Sequence, residues 1–213
     1  MRCDKKDLLL YGVTDRSWLG DRTLAQQVEA SLRGGATMIQ LREKHMDRGS
    51  ILAQALELRE LCGRYGVPLI LNDDAELAQA AGADGVHVGQ SDMEAGRVRA
   101  LLGEDKLIGV SARTVEQALA AQAAGADYLG VGAMFPTGTK QDTRPVSYDT
   151  LKAICAAVDI PVVAIGGIGA GNVAELAGSG IAGVAVVSAL YAQPEVEAAT
   201  RSLRAQVERV VGP

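Results

Sequence analysis

The chain has 213 residues, a formal charge of −5 at pH 7, and a composition nearly half hydrophobic but only 3% aromatic. The acidic balance excludes a nucleic-acid partner, because gripping a phosphate backbone takes a basic stripe. Cys3, Cys62 and Cys155 are odd in number and far apart, which excludes a disulfide framework and a cysteine-rich zinc site.

In chain order, eight short apolar runs predict strands at 8–15, 38–44, 68–73, 85–90, 107–112, 128–134, 161–168 and 183–189. Each is followed by a stretch that reads as helix, the last from about Pro194 to Val210. A small unit recurs between them. Ala-Ala-Gly-Ala-Asp at 80–84 and again at 123–127 closes a helix and leads straight into a strand, with weaker copies at 34–36 and 180–182. A glycine in the left-handed conformation ends such a helix. The runs lack clean alternation, as strands covered on both faces do. Repeated strand–helix units predict a parallel sheet. Eight units in one chain favour an α/β fold of the (β/α)8 TIM-barrel type, a single catalytic domain over 1–213, with an open doubly wound sheet as the alternative. No run approaches the roughly 20 apolar residues that span a bilayer. The N-terminal apolar run is too short for a signal peptide. A cytoplasmic protein with no membrane or nucleic-acid partner and reduced thiols is expected.

In such barrels chemistry sits at the C-terminal ends of the strands, and polar residues gather there. The second strand ends in Gln40, Arg42, Glu43 and Lys44; the third in Asn72, Asp73 and Asp74; the fourth in His87, Gln90 and Asp92; the fifth in Ser111 and Arg113. Asp73 and Asp92 follow neighbouring strands, and oxygen ligands without Cys or His suit Mg²⁺ shared with substrate phosphate. Alternatively, each caps the helix behind it. Thr137, Gly138, Thr139 and Lys140 form a loop whose hydroxyls, amides and ammonium suit a phosphate. Gly166, Gly167, Gly169 and Ser188 follow the seventh and eighth strands, where barrels bind phosphate through backbone N–H groups. Ser111 has no His/Asp relay partner nearby in sequence, so it reads as a hydrogen-bonding hydroxyl rather than a nucleophile. His87 reads as structural or substrate-contacting, while Tyr11 and Trp18 read as packing residues.

As a set, Gln40-Leu41-Arg42-Glu43-Lys44, Leu71-Asn72-Asp73, Gly85 to Asp92, Gly109-Val110-Ser111, Phe135 to Lys140, Ile165-Gly166-Gly167-Ile168 and Val187-Ser188 resemble the thiamine-phosphate synthase family. The resemblance runs from about Leu8 to Leu190. It implies coupling of 4-amino-2-methyl-5-hydroxymethylpyrimidine diphosphate to a thiazole phosphate, giving thiamine phosphate and pyrophosphate. It further implies that Gln40, Leu41, Arg42, Glu43, Lys44, Asn72, Ser111 and Lys140 bind the pyrimidine diphosphate, with Lys140, Ser111 and Arg42 catalytic. Asp73 and Asp92 would hold Mg²⁺. Thr137, Gly138, Thr139, Gly167, Val187 and Ser188 would bind the thiazole phosphate. Asp74, Arg113 and Ser147 depart from the family's usual residues. A thiazole tautomerase of the same superfamily and a non-catalytic phosphate-ligand sensor are the competing readings, and a homodimer is left open.

Overall fold

A computed structural model describes residues 3–138 and 145–212. Eight parallel strands close into a barrel in sequence order: β1 (Leu10–Val13), β2 (Met38–Leu41), β3 (Leu69–Asn72), β4 (Gly85–Val88), β5 (Leu107–Ala112), β6 (Tyr128–Val131), β7 (Val162–Ile165) and β8 (Gly183–Val186). The closing pair is β8 with β1, in the register Ala185 to Tyr11. Helices α1 (Leu24–Arg33), α2 (Arg48–Tyr65), α3 (Ala75–Ala81), α4 (Ala95–Leu102), α5 (Val115–Ala123), α6 (Tyr148–Ala157), α7 (Ser188–Tyr191) and α8 (Val196–Val211) complete it. The eight strands and the barrel agree with the sequence expectation, with two differences of detail. Most strands stop before their predicted ends, because the polar residues there leave the ladder to form the mouth. After β7 only a short 3-10 turn, Val173–Leu176, stands where a helix was expected.

Strand alternation divides the core in two. One face of the strands (Ile39, Leu41, Leu69, Leu71, Val86, Ile108, Leu129, Val162, Val184) packs against helical residues such as Val28, Leu58, Val98 and Leu203. The other face fills the barrel with Tyr11, Val13, Met38, Ile70, Leu107, Tyr128, Val163 and Ala185. The aromatic content is low, yet two of the five tyrosines are spent inside the barrel.

The repeated Gly-Ala-Asp unit has a structural purpose. Gly82 ends α3 in the left-handed region, and Gly125 has φ +92° after α5. Two residues later, the Asp84 carboxylate accepts from Leu69 N and the Asp127 carboxylate from Ile108 N, at 2.8 Å each. Each Asp thus fastens the start of its own strand to the preceding one. In the weaker copy Thr37 does the same, its hydroxyl accepting from Leu10 N at 2.9 Å. Two family departures are also explained, since Asp74 and Ser147 are the N-caps of α3 and α6. Among the described residues, no helix is long and apolar enough to cross a membrane.

Candidate active site at the barrel mouth

The C-terminal end of β2 is stitched to β1 by Thr14, whose N–H donates to Gln40 O and whose hydroxyl accepts from Arg42 N, both at 3.0 Å. That fixes where Arg42 leaves the sheet. Its guanidinium lies 3.6 Å from the Asp15 carboxylate, half-buried, while Glu43 sits 2.7 Å from Arg16 Nε. Burial pushes the Glu43 carboxyl above the ordinary carboxylate range, with Arg16 opposing the shift. Lys44 is exposed and forms no ion pair with the described residues, which leaves its ammonium available to an anion. Leu41 requires a correction. Alternation turns its side chain outward into the helix-facing core, so only its backbone belongs to the mouth.

At the end of β3, Asp73 adopts φ +65°, a conformation in which a non-glycine residue is strained. Its N–H donates to His87 O at 2.8 Å, and its carboxylate accepts from Asn72 Nδ2 at 2.6 Å. On the neighbouring strand, Asp92 Oδ2 accepts from Gly89 N at 2.7 Å. Both aspartates are therefore tied to one short stretch at the end of β4. Neither caps a helix: Asp74 and Glu94 occupy those positions. Among the described residues, no group of three His, Cys, Asp or Glu side chains converges for a metal. Two exposed carboxylates suit Mg²⁺, which keeps waters and shares substrate phosphate, better than a closed all-protein cage.

Inside the barrel, below these ends, polar side chains touch one another. Gln40 Nε2 donates to Tyr11 Oη at 2.6 Å, and Tyr11 Oη lies 3.0 Å from Tyr128 Oη. Tyr128 Oη lies 3.2 Å from His87 Nδ1, and His87 Nε2 3.0 Å from Ser111 Oγ. One expectation is corrected here and one is extended. Tyr11 is a buried hydrogen-bonding residue rather than packing alone, and Ser111 does have a histidine neighbour, one that is distant in sequence but adjacent in the barrel. Burial pushes both phenols well above their ordinary range, so both stay protonated.

The opposite side of the mouth is built from backbone. Gly166 and Gly167 take φ +99° and +67°. A Cβ on Gly167 would lie 2.5 Å from Pro136 O and 2.7 Å from Phe135 O, so only glycine lets this turn press against the β6 loop. Asn172 shapes the turn, its Oδ1 accepting from Gly169 N and its Nδ2 donating to Gly167 O. The N–H groups of Gly167, Ile168, Ser188 and Ala189 donate to no described residue. They are uncommitted donors at the place where this fold binds phosphate.

A cleft of about 1070 Å³ brings the two sides together, lined by Arg42, Glu43 and Lys44 on one side and Thr137, Gly138, Gly167 and Ser188 on the other. Gln40, Asn72, Asp73, Asp92, Ser111 and Val187 are not on this lining; they lie at the strand ends beside or beneath it. Thr139 and Lys140 fall outside the described residues. Sequence reasoning missed Asp15, Arg16, Ser17, Asn172 and Gln193 on the lining. Of these, Asp15 and Asn172 carried a signal, as Asx residues just past a strand. Trp18 was misread as packing, for it is 43% exposed and lines the cleft.

The sequence profile of the family described as thiamine monophosphate synthase matches residues 10–190. The chain is 48% identical over 199 residues to a thiamine-phosphate synthase of Ruminiclostridium cellulolyticum, covering 93% of this chain and 95% of that one. It is 50% identical over 202 residues to that of Chloroflexus aurantiacus, covering 94% and 93%. A solved thiamine phosphate pyrophosphorylase from Pyrococcus furiosus matches with a TM-score of 0.90 at 38% identity, covering 98% of this chain and 99% of that one. With that mouth, that barrel and these relatives, the chain belongs to the thiamine-phosphate synthase family.

Proposed function

We propose that this protein joins 4-amino-2-methyl-5-hydroxymethylpyrimidine diphosphate to a thiazole phosphate, forming thiamine phosphate and releasing pyrophosphate with the help of Mg²⁺. One observation carries the reading: a single cleft opposes cationic side chains, Arg42 and Lys44, to uncommitted backbone amides at Gly167 and Ser188. Two phosphate-bearing substrates need two such holders facing one another.

Arg42 and Lys44 bind the diphosphate, Asp73 and Asp92 hold Mg²⁺, and Gln40, Asn72 and Ser111 take the pyrimidine. Thr137, Gly138, Gly167, Val187 and Ser188 bind the thiazole phosphate, together with Thr139; Lys140 lies in the same loop. Bound Mg²⁺ offsets the negative charge that develops on the departing diphosphate. The bond from the pyrimidine methylene carbon to the diphosphate oxygen breaks, its electron pair leaving with pyrophosphate. The aminopyrimidine ring delocalises the positive charge left on that carbon, and the thiazole nitrogen supplies the new bonding pair. No protein nucleophile is required. The work of Arg42, Lys44 and Lys140 is electrostatic stabilisation of the leaving group, and that of the amide side is to hold the thiazole in line.

The test is pyrophosphate release with both substrates, with and without Mg²⁺. Release that needs all three components supports the reading. Thiazole isomerisation without coupling, or substrate binding without turnover, overturns it.

A further inference from the structure

With the Gln40 amide nitrogen turned toward Tyr11, as the structure has it, the polar chain inside the barrel admits one order of protons. Gln40 Nε2 is a donor, so Tyr11 Oη accepts there and its own hydrogen goes to Tyr128 Oη, its other partner among the described residues. Tyr128 then donates to His87 Nδ1, and His87 carries its proton on Nε2, which donates to Ser111 Oγ. With the amide in that orientation any other order strands a buried hydroxyl hydrogen, at a desolvation cost; the reversed order needs the amide flipped and puts the His87 proton on Nδ1. At one end Gln40 Oε1 accepts from no described residue; at the other, the Ser111 hydroxyl hydrogen remains to be donated.

The barrel is carved to hold this chain. Gly109 is paired in register with both His87 and Tyr128, and a Cβ there would overlap the Tyr128 ring and His87 Nδ1. A Cβ on Gly130 would lie 2.9 Å from His87 Cε1. Glycine inside a strand weakens it and marks a close approach; here the approach is to the histidine and tyrosine. The rings also pack, Tyr11 edge-on to Tyr128 at 6.0 Å and His87 tilted against Tyr128 at 5.5 Å.

We propose that Tyr11, Tyr128 and His87 are positioning residues that fix a one-way hydrogen-bond chain, presenting Gln40 Oε1 as an acceptor and the Ser111 hydroxyl as a donor to the aminopyrimidine. An aminopyrimidine offers the complement, an exocyclic amine that donates and ring nitrogens that accept. This rests on the proposed substrate, and it also explains why the Ser111–His87 pair is no nucleophile. With its proton on Nε2, His87 donates to Ser111 and has no lone pair to take the serine proton.

Nitrogen NMR of the histidine-labelled free enzyme tests the chain without any substrate. The chain has two histidines, so one His45→Gln variant assigns them. The expected His87 signature is an unprotonated Nδ1 and a protonated Nε2 at neutral pH; the opposite tautomer or a charged ring overturns the proposal, whatever the enzyme turns over. Tyr128→Phe should then erode that tautomer preference and raise KM for the pyrimidine diphosphate about tenfold, with KM for the thiazole phosphate unchanged, a factor equal to the net loss of one hydrogen bond. Equal changes in both KM values, or none, overturn it. Tyr11→Phe, one link further along, is the second variant should Tyr128→Phe fold poorly. Tyr191→Phe removes a buried hydroxyl bonded to Ser31 outside the barrel and calibrates the thermal cost of such a loss.

Discussion

The β2–β5 side of the mouth presents side chains, whereas the β7–β8 side presents main chain. On the first, Arg42, Lys44, Asp73 and Asp92 bring full charges that must be countered or left to a ligand, as Asp15 counters Arg42 and Arg16 counters Glu43. On the second, Gly166 and Gly167 bring dipoles already aimed by the backbone, and Asn172 braces them. The contrast suits the two anions proposed for them. A departing diphosphate gains charge as its bond breaks and needs strong, metal-assisted compensation, whereas a phosphate that stays attached needs only to be held.

Variants can break this contrast from the strong side downward. Asp92→Ala should lower kcat about 10²–10³-fold, the scale of losing one charge-stabilising group in an active site, and flatten the Mg²⁺ dependence of pyrophosphate release. Unchanged Mg²⁺ dependence would remove Asp92 from the metal site. Lys140→Ala, in the segment after β6, should slow coupling about tenfold or more in single-turnover assays; near-normal turnover would return Lys140 to a plain surface residue. Asp74→Ala should cost about 1 kcal/mol in denaturant unfolding through its lost cap on α3, with little further loss from its exposed pairing to Arg48. The smallest effect is on pH dependence. The Glu43 carboxyl is raised in the folded state, so the native protein holds the proton longer and Glu43 makes stability fall as pH rises from the ordinary glutamate value to the raised one. Thermal melts of Glu43→Gln across that window should show a shallower decline than the wild type, the equally present Asp7 being common to both.

The barrel was legible because its signals are local and repeated. The Gly-Ala-Asp unit announces two of the helix ends and strand starts, and the structure adds what the Asp does, clamping Leu69 and Ile108 N–H groups. The charged rim was legible too, since polar residues ending apolar strands have few other purposes. What stayed hidden depends on closure. Tyr11, Tyr128, His87 and Ser111 sit on four different strands, and only the barrel's curvature brings β1 and β6 across from each other; no spacing in the sequence encodes that. Leu41 was misjudged because a motif read as a block ignores the alternation that sends every second side chain to the other face. Trp18 was misjudged because a large apolar residue is usually buried, whereas here it walls the cleft.

The division of the mouth is tested most directly by steady-state kinetics of Lys44→Ala and Gly167→Ala, each with the two substrates varied in turn. Lys44→Ala should raise KM for the pyrimidine diphosphate and leave that for the thiazole phosphate, and Gly167→Ala should do the reverse. If both variants shift both KM values alike, the two sides do not hold separate phosphates and the division is wrong.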